Sequence, residues 1–143
     1  MECKVQWMGK GGPSGMTFVA TTGSGHLLQM DGAPEAGGNN LAARPMEMLL
    51  AGAGGCTAFD VVLILQRGRQ DVRDCQVSLK AERATTDPKV FTAIHLHFKV
   101  SGRALKPESV QRAIALSHEK YCSATAMLDK TAAITTSFEI EEV

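Results

Sequence analysis

Apolar and polar residues alternate in six short stretches of the chain, and this pattern predicts β-strands. The first is typical, because Cys3, Val5 and Trp7 alternate with Lys4 and Gln6. The two strongest stretches, residues 75–82 and 94–100, are joined by a turn around Asp87-Pro88 and so predict a hairpin. The other three predicted strands cover residues 16–20, 26–31 and about 134–140.

The chain between the third and fourth predicted strands indicates two helices. Proline suits the first helical position, so Pro45 begins a helix that continues over residues 46–53. The glycines of residues 52–55 are expected to break it, and a second helix then begins near Cys56 and ends near Gly68. Nearly every residue of this second helix is apolar, which predicts that protein encloses most of its sides.

Two more helices are predicted before the last strand. Pro107 begins an amphipathic helix that ends at Cys122, and Ser123 suits the N-cap of a short helix through Lys130. The predicted order of elements is β-β-β-α-α-β-β-α-α-β. Because strands and helices do not strictly alternate, this order predicts an α+β fold with antiparallel sheets. The length suits a single domain over residues 1–143.

Charge and composition narrow the function classes. Lys plus Arg and Asp plus Glu number 15 each, so the formal net charge is zero, and we expect no nucleic-acid partner and no anionic membrane surface. A neutral surface also favours self-association. The amino terminus has no signal-peptide pattern, and the longest aliphatic run, Val61–Leu65, is too short to span a membrane. We therefore expect a cytoplasmic protein.

The four cysteines fall into two pairs of different character. Cys3 and Cys75 lie on the apolar faces of predicted strands, where buried and unreactive thiols are the expectation. Cys56 and Cys122 both lie where a helix is predicted to begin, and the backbone N–H groups there stabilise a thiolate. Because thiolate is the nucleophile in redox and acyl chemistry, both are candidate reactive groups, 66 positions apart in the chain.

Other polar residues offer weaker signals. Glu47 either complements the dipole of its helix or orients a cation or accepts a substrate proton. The glycine-rich residues 52–55 lack the Gly-Lys-Ser/Thr ending of a phosphate loop, which excludes a nucleotide site. His95 with His97, and His118 with Cys122, have the spacing of metal ligands, but neither pair supplies three or four ligands. No metal and no cofactor is therefore expected.

Two runs resemble one known family. Residues 44–62, RPMEMLLAGAGGCTAFDVV, look like the central helix region of the OsmC/Ohr proteins, the osmotically inducible and organic hydroperoxide resistance proteins. Residues 118–123, HEKYCS, resemble that family's second cysteine motif. The order of elements agrees over essentially the whole chain, and residues 66–72, QRGRQDV, look most like its YhfA-type branch.

The resemblance implies an OsmC-like fold, an intertwined homodimer and a mechanism. Cys56 would attack the O–O bond of an organic hydroperoxide and become a sulfenic acid, and Cys122 would condense with it to a disulfide. A small dithiol would then reduce that disulfide. Glu47 maps onto the glutamate of the family's Pro-x-Glu motif and would support the reaction.

One departure from the family pattern leaves two functions open. The family's peroxidases pair that glutamate with an arginine near the amino terminus, whereas this chain has no arginine before Arg44. Lys4 and Lys10 lack the planar guanidinium fork. The first hypothesis is a thiol-dependent hydroperoxide reductase acting in the oxidative stress response. The alternative is a non-enzymatic binder of a small hydrophobic ligand that has lost efficient turnover.

Overall fold

A computed structural model describes all residues 1–143. The chain forms two compact units, Met1–Leu49 and Leu50–Val143, and each contains one three-stranded sheet. Strands and helices are mixed without strict alternation, which confirms the α+β fold class. Whether both units belong to one independently folding domain stays a prediction.

The first unit is built on a small antiparallel sheet. Its strands β1 (Cys3–Trp7), β2 (Phe18–Thr22) and β3 (Leu27–Met30) pair in the order β1-β2-β3. All five residues of β1 are exposed, Cys3 included, so the expectation that Cys3 is buried is wrong for this chain. The strand lies at the edge of its sheet, and its apolar residues Val5 and Trp7 are about half exposed.

A buried carboxylate organises the loop that follows β3. Asp31 is 1% exposed and accepts hydrogen bonds from Ser14 Oγ and from three backbone N–H groups of the loop. The hydrogen bond from Ser14 is the largest of the causes that lower the pKa of Asp31 from 3.8 to about 2. The loop continues through a 3₁₀ turn at Pro34–Ala36 to a bridge between Met30 and Ala43.

The central helix α1 runs without a break from Pro45 to Arg67, over 23 residues. The prediction of two helices separated by residues 52–55 is therefore wrong, and the observed order has one helix fewer before the second sheet. Glycine costs about 1 kcal/mol in a helix interior, but packing overrides that propensity here. A Cβ on Gly54 would lie 2.8 Å from Leu79 Cδ1, so a residue without a side chain lets α1 approach the neighbouring strand closely.

The second sheet holds most of the core. The predicted hairpin is confirmed as β4 (Asp71–Arg83) and β5 (Phe91–Arg103), which pair antiparallel. The last strand, β6 (Ala133–Glu142), pairs with β5 in parallel, which corrects the expectation of antiparallel sheets only. A parallel partner requires a long crossover, and two helices lie between β5 and β6. The buried apolar face of β5 consists of Ile94, Leu96, Phe98 and Val100.

The crossover contains two helices joined by an irregular turn. Helix α2 (Pro107–Leu116) buries Val110, Ala113 and Ile114. The chain then widens into a π-helical turn, Ser117–Tyr121, before helix α3 (Ser123–Leu128). The predicted helix from Pro107 to Cys122 is thus π-helical over Ser117–Tyr121, and the short helix ends before Lys130.

Candidate functional site

Helix α1 places a thiol and a carboxylate on the same face. Cys56 and Asp60 are four residues apart, which puts side chains about one turn apart on one side of a helix. Both are half-buried. Cys56 is the twelfth residue of α1, not its first, so the prediction that a helix begins there is wrong. The backbone N–H groups around it are bonded within the helix, and the argument from a helix start does not apply to Cys56.

Cys122 lies in the crossover between β5 and β6, and the fold brings it close to Cys56 and Asp60. It is 2% exposed and is the N-cap of α3, so the prediction that a helix begins there is confirmed, with Cys122 rather than Ser123 as the cap. Its Sγ accepts a hydrogen bond from the Thr125 N–H at 3.4 Å. This thiol is therefore held in one orientation by the first turn of α3.

The π-helical turn connects this cysteine to the acid on α1. The carbonyl oxygen of Ser117 accepts a hydrogen bond from the Cys122 N–H at 2.8 Å. The Ser117 hydroxyl donates to Asp60 Oδ2 at 2.9 Å, and Ser117 is itself fully buried. One serine thus fixes both the backbone of Cys122 and the carboxylate of Asp60.

The structure brings the two predicted thiols together. One carboxylate oxygen of Asp60 and the Sγ atoms of Cys56 and Cys122 all lie within 4.8 Å of one another, and both thiols are free. Burial raises the pKa of the Cys122 thiol above its ordinary value, and a hydrogen bond with Cys56 raises it further. Cys122 therefore keeps its proton more firmly than an exposed cysteine, while Cys56 is the sulfur that solvent reaches more easily.

A groove of about 230 Å³ adjoins this cluster. Asp60 belongs to both the groove and the cluster, and Arg67 is the cation on the groove's wall. None of the ion pairs in the structure includes Asp60. The remaining lining is mostly apolar and consists of Leu63, Ile64, Leu116 and Tyr121. The groove therefore offers a small, largely apolar space that meets the thiol cluster at Asp60.

Glu47 and Arg44 lie in the first unit, at the beginning of α1. Glu47 Oε2 accepts a hydrogen bond from the Arg44 N–H at 2.9 Å, which is the carboxylate half of a capping box. The Nε of Arg44 is buried without a hydrogen-bond partner. The observed contact of Glu47 thus corresponds to the first of the two roles considered from the sequence, a charge that stabilises a helix N-terminus.

The remaining sequence candidates lie elsewhere. His95 and His97 are on β5, where Ser137 Oγ contacts one ring nitrogen of each at 2.8 Å. His118 lies in the π-helical turn, and its Nδ1 is buried without a partner. Cys75 is half-buried on β4, and burial raises its pKa, so its thiol is held in the unreactive form.

Asp60 and Ser117 escaped the sequence reasoning. The signal for Asp60 was present, because it is the one charged residue among residues 56–65, which are apolar apart from Thr57. Ser117 had no such signal, because a buried serine in an amphipathic stripe looks like an ordinary small core residue.

Comparisons with known proteins agree with this architecture. A family model described as "OsmC-like protein" matches residues 37–137. Protein YhfA of Escherichia coli strain K12 is 49% identical over 140 residues, which cover 98% of each chain.

The chain belongs to the OsmC family.

Within the OsmC family it is of the YhfA type. A hypothetical protein from Aquifex aeolicus VF5 superposes with a TM-score of 0.83 at 27% identity, over 99% of this chain and 96% of that one. An organic hydroperoxide resistance protein from Elizabethkingia anophelis has the same fold, with a TM-score of 0.71 at 17% identity, over 99% and 97% of the two chains. Membership of this family supports a role related to redox or peroxide chemistry.

Proposed function

We propose that this protein is a thiol-dependent peroxidase of the cytoplasm that reduces small organic hydroperoxides. The observation that carries the proposal is the proximity of Cys56 Sγ and Cys122 Sγ, within 4.8 Å, although the residues are 66 positions apart in the chain. Disulfide formation requires the two sulfur atoms to approach from this separation to about 2.05 Å. The apolar groove beside Asp60 supports a substrate with a hydrocarbon portion.

The two cysteines take different parts in the proposed reaction. The Cys56 thiolate attacks the peroxide, the O–O bond breaks, and the products are a Cys56 sulfenic acid and, after protonation, an alcohol. The Cys122 thiol then attacks the sulfenic sulfur, which forms the disulfide and releases water. An external dithiol reduces the disulfide and is itself oxidised. The greater burial and raised pKa of Cys122 suit the second, resolving step.

Glu47 is proposed as a support residue, and a second copy of the chain as the partner. Only 28% of the most apolar 18-residue window of α1 is buried within the protomer, and by length and composition this helix could also span a membrane. A second subunit would supply the missing cover, as the family resemblance implies. We therefore propose that the active form is an intertwined homodimer.

The test follows the thiols directly. Reduced protein is treated with cumene hydroperoxide, and intact mass and free thiols are measured over time. We expect the wild type to lose two hydrogens, Cys56→Ser to lose none, and Cys122→Ser to accumulate an oxidised Cys56 that dimedone traps. Cys3→Ser is the matched control and should react like the wild type, because Cys3 is exposed and outside the cluster.

Two results would overturn the proposal. One is a wild-type reaction no faster than that of free cysteine, and the other is a disulfide that uses Cys3 or Cys75. A groove that binds a hydrophobic ligand while the thiols react slowly would favour the alternative, a non-enzymatic binder. The apolar lining by Leu63, Ile64 and Leu116 is the observation on which that alternative rests.

A further inference from the structure

The thiol cluster contains a third group that the peroxidase proposal does not use. Asp60 contributes a carboxylate oxygen within 4.8 Å of both sulfur atoms. Two thiols and a carboxylate converging from α1 and the N-cap of α3 form a set of three ligands of the kinds that bind zinc and related ions. The histidine pairs examined in the sequence do not take part in this set.

We propose that the reduced protein binds one thiophilic divalent cation, Zn²⁺ or Cd²⁺, through Cys56 Sγ, Cys122 Sγ and one oxygen of Asp60. In a tetrahedral site with Zn–S near 2.3 Å and Zn–O near 2.0 Å, neighbouring ligand atoms lie about 3.5–3.8 Å apart. The observed limit of 4.8 Å is close enough for small side-chain rotations to reach that geometry. The fourth position would be taken by water.

Hydrogen bonds around the ligands favour this use. Ser117 donates to Asp60 Oδ2 and so holds the carboxylate in one orientation, while a carboxylate has lone pairs left to bind a cation. The Thr125 N–H points at Cys122 Sγ, where it would stabilise a metal-bound thiolate. Outer partners of this kind orient metal ligands and are characteristic of functional metal sites.

The charge balance also favours a cation. Asp60 has no ion-pair partner, so the charge of its half-buried carboxylate is not balanced by a neighbouring cation. A divalent ion would balance that charge and replace the two thiol protons, which are released to the solvent.

This site is independent of peroxide turnover. The cation needs both thiols in the reduced form, but it needs no reaction with a hydroperoxide. Formation of a Cys56–Cys122 disulfide would remove two of the three ligands, so oxidised protein should lose the ion. Metal binding and peroxidase activity can therefore succeed or fail separately.

The experiment titrates reduced, full-length protein with Cd²⁺ in the absence of oxygen. The thiolate-to-cadmium charge-transfer absorption in the near ultraviolet reports sulfur ligation, and native mass spectrometry gives the number of ions per chain. We expect one ion per chain in the wild type. Cys56→Ser, Cys122→Ser and Asp60→Asn should each weaken binding by at least about tenfold, whereas Cys3→Ser and Cys75→Ser should bind like the wild type.

A second experiment uses only the wild-type protein, so its result does not depend on whether the variants fold. Wild-type protein oxidised with diamide, rather than peroxide, should lose the absorption band and regain it after reduction. The proposal is overturned if reduced wild type shows no band, if binding survives Cys56→Ser and Cys122→Ser, or if Asp60→Asn binds as tightly as wild type. A cadmium band in a protein inert to cumene hydroperoxide would support the metal site and reject only the peroxidase.

Discussion

Asp31 shows how a single residue can hold a loop that the sequence describes only as glycine-rich. Its carboxylate accepts hydrogen bonds from the N–H groups of Gly32, Asn39 and Leu41, so it gathers both ends of the loop onto one side chain. Such bonds favour the charged form of the carboxyl group. The ordinary pKa of 3.8 therefore applies to the unfolded chain and a value of about 2 to the folded one.

This difference predicts the direction of acid sensitivity. Between the two pKa values the unfolded chain binds more protons, so the contribution of Asp31 to stability is complete above about pH 5 and is lost as the pH falls toward 2. We expect Asp31→Asn to lower the thermal midpoint at pH 6 and to show a smaller further decrease at pH 2.5 than the wild type. Thermal unfolding followed by circular dichroism measures both values.

The control for this prediction is Glu35→Gln, which removes an exposed carboxylate from the same loop. It should leave the acid dependence close to that of the wild type. Equal acid dependence in wild type and Asp31→Asn would show that Asp31 does not stabilise the loop in this way.

Among the elements, α1 is the helix that continues through three glycines without a break. Gly52 and Gly55 are exposed with no atom within 4 Å of an added Cβ, whereas Gly54 is buried against Leu79. The three glycines look alike in the sequence but have different reasons to be there. Only Gly54 is needed for the close contact between α1 and β4 in the folded unit.

A matched pair of substitutions tests that reading. Gly54→Val would place branched carbons where Leu79 now lies, and we expect the free energy of unfolding to fall by about 1–3 kcal/mol. Gly52→Val should cause no loss, because the position is open and valine has a higher helix propensity than glycine. Urea unfolding of both variants measures the difference. Equal stabilities would mean that the contact with Leu79 relaxes at no cost.

The elements also show which parts of the molecule the sequence could predict. Alternation alone located the hairpin β4–β5, because Ile94, Leu96, Phe98 and Val100 must all face one core. The glycines misled the prediction of α1, since local propensity cannot reveal that Leu79 requires one of them. The parallel pairing of β6 was missed for a similar reason, because pairing between distant strands leaves no local pattern.

For the candidate site, the family motifs pointed to Cys56 and Cys122, but spacing could not show that they meet. Their proximity depends on the π-helical turn, in which Ser117 binds both the Cys122 N–H and Asp60. The residue types at positions 117–121 do not distinguish that turn from one more turn of helix α2. The sequence therefore indicated the chemistry of the single residues, whereas only the structure shows which of them lie close together.

On the scale of the whole molecule, the exposed apolar surface is the feature that a protomer does not explain. Phe59 is 69% exposed in the middle of α1, and Leu27 is 71% exposed on β3. Exposed apolar side chains mark surfaces that bind protein partners or membranes where they form a contiguous patch. The proposed homodimer would cover them.

Sedimentation gives a direct test of that proposal. We expect the wild type to sediment at twice 15.2 kDa and Phe59→Asp to shift the equilibrium toward the monomer, because a charge would be buried in the interface. Thr92→Asp, a change at an exposed polar position, should leave the dimer intact. A wild-type protein that sediments at 15.2 kDa would contradict the proposal whatever the variants do.

The convergence of Cys56 and Cys122 also has a consequence for how the chain resists heat. A covalent bond between them would tie the middle of the longest helix to the crossover beyond β5 and close a loop of 66 positions. In the loop-entropy description, such a cross-link disfavours the unfolded chain by about 4 kcal/mol. Oxidation would then raise the melting temperature, and the higher value would persist until a reductant broke the disulfide.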